Sequence, residues 1–194
     1  MNQMLSKKIL RKDYLDHRKN ITSSFTERSH KEICRHIVNW LDGKKISQIF
    51  IYFPLEGEPD MRFLCKELKH KVSYGLPVIQ NNKRMFFYSW YPGDELKLNS
   101  LGIPEPVLAT QVPLQPTEDT LILVPSVAMD FRGYRLGYGG GFYDRFLVNV
   151  ETQHVMGVLW EDFMSDQSLP DNDWDIPLKF AATEAGILPM KISD

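Results

Sequence analysis

The chain is expected to fold as an α/β protein, a three-layer αβα sandwich with a mostly parallel central sheet and an N-terminal helical pair packed on it. Three observations lead there. Residues 1–42 contain no Pro or Gly, and their apolar residues recur at helical spacing. From about residue 46 the texture changes to short apolar runs separated by turns. Between the first two of those runs, Met61 to Lys69 carries Met61, Leu64 and Leu68 at the spacing of a crossover helix, which makes a βαβ unit.

The elements follow in order. Two helices occupy residues 1–42; the second spans Thr26 to Leu41, with Ser24 and Glu27 as a capping box and Gly43 as its stop. Strands are expected at Ile49 to Phe53, Val72 to Leu76, Met85 to Tyr88, Leu121 to Val124 and Val155 to Leu159. The four prolines from Pro104 to Pro116 predict a long surface connection. With 194 residues, 43% of them hydrophobic, the chain can bury one sizeable core, so one domain is expected over 1–194, helical over 1–42 and α/β over 46–194.

Charge and cysteine usage narrow the function. A net charge of −2 provides no global field for nucleic acid or an anionic membrane, so any anion site is local. Cys34 and Cys65 lack the spacing of a zinc site or a disulfide scaffold and read as buried free thiols. The N-terminus has no apolar signal stretch and no run reaches membrane-spanning length, which points to a cytoplasmic protein.

The most informative segment is RLGYGGGFYD, Arg135 to Asp144. Five of the 12 glycines lie between Gly133 and Gly141, just past the buried-looking run LILV and Pro125. Glycines let successive N–H groups converge on an anion. Beyond Gly141, Tyr143, Phe146, Leu147 and Val150 share one helical face, so the loop opens a helix and suits a phosphate at its start. It is neither a Walker loop nor the dinucleotide fingerprint. A plain tight hairpin is the alternative. Arg135 can neutralise phosphate oxygens, and Asp144 suits either a bridging cation or the helix dipole.

On the first helix Lys7, Arg11 and Arg18 project within about 40° of one another, between Leu10 and Tyr14 on one side and Met4 and Leu15 on the other. Cations inside a packed arc need an anion or carboxylate within reach, unless their stems snorkel over the core edge. Lys8, Lys12 and Lys19 form a second ribbon that reads as solvated.

Four signatures then stand together: KKILR at 7–11, YFPLEGEPD at 52–60, GIPEP at 102–106, and VPSVAMDFRGYRLGYGGGFYDRFL at 124–147. In this order, across nearly the whole chain, they resemble the 5-formyltetrahydrofolate cyclo-ligase family. The resemblance implies ATP-dependent conversion of 5-formyltetrahydrofolate to 5,10-methenyltetrahydrofolate with release of ADP and phosphate. It places ATP on Lys7, Arg11, Arg135, Leu136, Gly137, Tyr138, Gly139, Gly140, Gly141, Phe142 and Tyr143. It places folate on Phe53, Glu58, Tyr138, Gly139, Gly140, Gly141 and Phe142. Mg²⁺ falls to Asp144 and to one of Asp171, Asp173 and Asp175, with Asp175 favoured by its distance from Pro170. Phe142 departs from the family's commoner tyrosine, which keeps ring stacking and gives up a hydroxyl hydrogen bond.

No side chain is expected to act as nucleophile or base, and none of the five histidines falls in a signature. The expected partners are ATP and 5-formyltetrahydrofolate alone, with no nucleic acid and no membrane, for a monomer or else a homodimer. The alternatives are a non-catalytic folate or nucleotide binder, which the presence of Glu58, Asp144 and Asp175 argues against, and a sugar-phosphate isomerase or acyl-CoA-handling protein.

Overall fold

A computed structural model describes residues 3–108, 111–150 and 153–192. Helix α1 (Gln3–Arg18) and helix α2 (Ser23–Leu41) form the N-terminal pair. Thr22 caps α2, its side chain accepting from the Phe25 amide, while Glu27 pairs with Lys31 one turn on at 3.5 Å. Glu27 is thus committed elsewhere than the expected capping box, and the side chains of Ser24 and Met4 lie outside the described residues. The helix stops at Leu41, and Gly43 turns the chain with φ +73°.

The body is a seven-stranded sheet. Its first strands are β1 (Gln48–Phe50), β2 (Ser73–Ile79) and β3 (Met85–Ser89), with helix α3 (Phe63–Leu68) crossing from β1 to β2. A hairpin of β4 (Leu96–Leu98) and β5 (Pro104–Pro106) precedes the central strand β6 (Thr120–Pro125). There follow β7 (Ala128–Asp130), β8 (Arg135–Leu136), helix α4 (Phe142–Leu147), β9 (Val155–Val158), β10 (Met164–Ser165), β11 (Phe180–Thr183) and β12 (Gly186–Pro189).

The main sheet runs β12-β11-β9-β6-β1-β2-β3. Its inner pairings, β2 with β1, β1 with β6, β6 with β9 and β9 with β11, are parallel, and antiparallel strands close both edges. The parallel strands are covered on both faces, so β6 reads as a continuous apolar run, Leu121 to Val124, fully buried. Phe50 stacks on Phe87 at 4.3 Å in the same core. Both cysteines are buried and free, and burial pushes the Cys34 thiol up to about 12, so neither thiol is poised to react at neutral pH.

Three details differ from expectation. Strand β1 ends at Phe50, one residue before the last bond to β2, in which the Ile51 amide donates to the Gly75 carbonyl, and the chain then delivers Tyr52 and Phe53 to the end of the sheet. The helical face expected to reach Val150 is cut short, since α4 ends at Leu147. The segment from Pro104 to Pro116 is not a plain surface connection. Pro104–Pro106 is a strand of a two-stranded sheet, where prolines cost little because no ladder partner needs their missing N–H. Leu114 bridges to Phe87, its amide donating to the Phe87 carbonyl at 2.7 Å. Glu105 is buried, and its Oε1 accepts from the Ile79 amide at 2.7 Å and Asn99 Nδ2 at 2.8 Å, tying the hairpin to β2.

Helix α2 packs on β11, β12 and α3. Helix α1 leans instead on the small three-stranded sheet β10-β7-β8, with Leu10, Tyr14 and Leu15 against Val127, Ala128, Leu136 and Leu169. Among the described residues no helix is long and apolar enough to cross a membrane.

Replacing Glu105 by Ala orphans the Ile79 amide and frees the hairpin. A loss of about 1–3 kcal/mol in urea unfolding is expected, and an unchanged midpoint would remove Glu105 as the hairpin's anchor.

Candidate active site

The site lies at the carboxyl ends of β1 and β6. From β1 the chain moves to β2 on one side and later returns as β6 on the other, so these neighbours form a topological switch point, the usual position of ligand clefts in open α/β sheets. A cleft of about 1310 Å³ opens there. The residues singled out for ATP and folate line it, Lys7 and Arg11 from α1, Phe53 and Glu58 after β1, and Arg135 through Tyr143, together with Asp144 and Asp175 of the metal candidates.

The glycine loop runs from β8 into α4. Gly141, with φ +64°, caps α4 in the left-handed region, a conformation that calls for glycine. Because α4 has only six residues, the loop amides and nearby cations must supply most of any phosphate attraction, and the helix dipole little. Leu136 meets the cleft through its backbone, since its side chain is buried against α1.

Two cation–carboxylate pairs stand in the cleft wall. Lys7 Nζ bonds Asp175 Oδ2, and Arg135 reaches Asp144 Oδ1 at 2.8 Å and the Ile176 carbonyl at 2.9 Å. Arg11 Nε donates to the Gly137 carbonyl, holding α1 on the loop, and partial burial lowers the Arg11 pKa. The three candidate aspartates separate clearly. Asp171 pairs with Arg132 at 3.0 Å, Asp173 is exposed, and Asp175 lines the cleft.

Among the described residues, hydrogen bonds to Asp144 fall on Oδ1 and those to Asp175 on Oδ2. One oxygen of each carboxylate is left for a cation. Two carboxylates with nucleotide oxygens completing the shell is a donor set that suits Mg²⁺, although no cluster of three or more His, Cys, Asp or Glu side chains stands among the described residues.

Glu58 is 4% exposed. Its Oε2 accepts from the Leu55 amide at 2.8 Å, while Oε1 has no hydrogen-bond partner among the described residues. Burial raises its pKa, and the Leu55 amide, Arg18 and Tyr138 oppose that rise without cancelling it. The Tyr143 hydroxyl is likewise buried, with no hydrogen-bond partner among the described residues. Such orphans at the end of a cleft fit the polar edge of a ligand.

Several cleft residues were not singled out by the sequence. Trp174, 62% exposed beside Asp175, and Leu101 and Ile103 from the β4–β5 hairpin come from connections whose course only the fold decides. Lys8, read as part of a solvated ribbon, stands at the rim. Arg145, the residue after the loop's closing aspartate, binds back to the Gly140 carbonyl, a position its spacing from Gly141 could have suggested.

The profile of the 5-formyltetrahydrofolate cyclo-ligase family matches residues 3–184. The chain belongs to that family. It is 32% identical over 166 residues to 5-formyltetrahydrofolate cyclo-ligase of Haemophilus influenzae, covering 83% of this chain and 88% of that one. With the cyclo-ligase of Mycolicibacterium smegmatis it shares 30% over 200 residues, 96% and 98% of the two chains. The solved structure of Aquifex aeolicus 5,10-methenyltetrahydrofolate synthetase superposes with TM-score 0.80 at 30% identity, covering 97% of this chain and 94% of that one. The cyclo-ligase fold, with its large, mostly parallel sheet and few helices, is therefore shared.

The raised Glu58 pKa has a stability consequence. Below the ordinary glutamate value of 4.5 the native state gains from a protonated Glu58, and the gain is lost as pH rises through the higher folded value. The unfolding free energy of the wild type is expected to fall relative to Glu58→Gln across that interval. Parallel urea-unfolding curves against pH would show that Glu58 feels no net desolvation.

Proposed function

We propose that the chain converts 5-formyltetrahydrofolate and ATP to 5,10-methenyltetrahydrofolate, ADP and phosphate in the cleft at the ends of β1 and β6. The observation that carries this reading is the arrangement of both signs of charge, Lys7 with Asp175 and Arg135 with Asp144, around a glycine loop, with the orphaned carboxylate oxygen of Glu58 in the same cleft. A metal nucleotide carries both signs too. Its phosphates would pair with Lys7 and Arg135, leaving Asp144 and Asp175 as the residues that would hold a divalent ion.

A formamide oxygen is a poor leaving group. In the reaction the formyl oxygen attacks the γ-phosphorus of ATP and ADP departs. The anilino nitrogen of the same folate then attacks the activated carbon, phosphate leaves with its oxygen, and the nitrogen gives up its proton. The protein's part is positioning and neutralisation. Lys7, Arg11, Arg135 and the amides of Gly137 through Tyr143 hold the phosphate chain, and Arg11, anchored on the Gly137 carbonyl, keeps α1 closed over it. Phe53, Tyr138 and Phe142 supply ring faces to the pterin, and Glu58 Oε1 accepts from its N–H donors. Mg²⁺, held by Asp144 and Asp175, would neutralise the charge that develops on the transferred phosphoryl group.

The cleft is built from one chain, and the proposal is of one domain, residues 1–194, acting as a cytoplasmic monomer on two small molecules. The isomerase and acyl-CoA alternatives leave Glu58 without a role.

The decisive measurement is absorbance growth from the methenyl product when purified protein meets 5-formyltetrahydrofolate and Mg-ATP, with none when ATP is omitted; silence would favour the non-catalytic binder. Asp144→Asn is expected to cut turnover roughly 100-fold or more and weaken its Mg²⁺ dependence, and unchanged activity would remove Asp144 as a ligand. Lys7→Ala should raise the KM for ATP by roughly tenfold, whereas an unaltered KM would take α1 out of the nucleotide site.

A further inference from the structure

Arg18 is the third cation of the α1 stripe, and its environment differs from that of Lys7 and Arg11. It closes the helix C-terminus, where the dipole favours a cation, and its side chain is 3% exposed. One guanidinium nitrogen donates to the Ser126 and Val127 carbonyls at 2.9 and 3.3 Å, at the corner between β6 and β7. The other donates to the Tyr138 hydroxyl at 3.1 Å and stands 3.9 Å from Glu58 Oε1. The guanidinium lies over the Phe163 ring at 5.3 Å. Room for its stem comes from Gly57, with φ +75°, since a Cβ there would sit 2.8 Å from Arg18 Cγ. The glycine of the EGEPD signature thus has a reason in Arg18.

We propose that Arg18 is a positioning residue for the cyclo-ligase reaction, holding Glu58 ionised with Oε1 aimed at the folate and fixing Tyr138 beside it. The inference rests on the folate role given to Glu58 above. Its physical basis is the low-dielectric surroundings. A carboxylate that is 4% exposed, with one oxygen lacking a hydrogen-bond donor among the described residues, stays charged only with a compensating cation close by. Arg18 is the cation that faces it, from α1. Among the described residues, the other titratable groups that interact with Glu58 are tyrosines: Tyr138 from the glycine loop, Tyr143 from α4 and Tyr52 from the segment after β1. Since Arg18 shares a helix with Lys7 and Arg11, the folate carboxylate is completed by the element that carries the nucleotide cations.

The test uses initial rates of methenyl formation by the full chain, with folate varied at saturating Mg-ATP across an acid-to-neutral pH series. Arg18→Met is expected to lower kcat/KM for folate by roughly 30-fold and to move the acid limb of its pH profile upward by roughly one unit, raising the KM for folate more than that for ATP. Arg18→Lys keeps the charge and should return the limb most of the way while KM stays elevated. Tyr138→Phe, at a half-exposed position that carries little folding risk, should raise the KM for folate by roughly threefold and move the limb the same way. A limb that stays put in Arg18→Met while both substrate affinities fall together would make Arg18 a structural strut and overturn the proposal. If Arg18→Met does not fold, an unmoved limb and unmoved folate KM in Tyr138→Phe and Arg18→Lys overturn it equally. An inactive wild type would instead sink the catalytic reading, and direct titration of folate binding across pH in the same variants then decides for or against Arg18.

Discussion

Helix α1 carries Lys7, Arg11 and Arg18 on the face that it packs, and cations in that position must be matched or the helix will not dock. The matching groups come from residues more than a hundred positions away. Asp175 meets Lys7, the Gly137 carbonyl meets Arg11, and the Ser126 and Val127 carbonyls with the Tyr138 hydroxyl meet Arg18. Nearly every feature of the cleft depends on this docking. It sets one wall, holds the glycine loop at its first glycine, and brings a cation to the buried glutamate. The apolar part of the contact, Leu10, Tyr14 and Leu15 over the small sheet, is modest, so polar matching sets the register of the helix.

The central sheet supplies the rigid half. Strands β1 and β6 are fully buried in their apolar parts, and their carboxyl ends release Tyr52 and Phe53 on one side and the Pro125 turn on the other. Groups positioned by such a frame move little, which suits a reaction that depends on the mutual alignment of two bound substrates. Within the pairs Lys7–Asp175 and Arg135–Asp144 each cation is matched by a carboxylate, so that charge arriving there is met by exchange of partners rather than by burying new charge.

The site was more legible than the fold around it. The loop from Arg135 to Asp144 is contiguous, and its glycines and terminal charges are read directly from the chain. Glu58 and the α1 cations could be attached to it through their signatures. What stayed hidden were the parts assembled across distance. The hairpin β4–β5 was masked by its prolines, because its register rests on Glu105 bonding to Ile79, a contact no local pattern contains. Trp174 and Leu101 carry no motif, and Arg18 looked like one more member of a stripe.

By itself the sequence determined the helical first forty residues, the alternation of strand and crossover, the glycine loop and the family. These follow from short-range periodicity, backbone freedom and contiguous motifs, which survive without tertiary context. The tertiary structure decided which aspartate faces the cleft, the partners that neutralise each cation, and the burial of Glu58 beside Arg18. Those are consequences of desolvation and of contacts between residues far apart in the chain. Their energies depend on what surrounds a charge, and the order of residues does not state that.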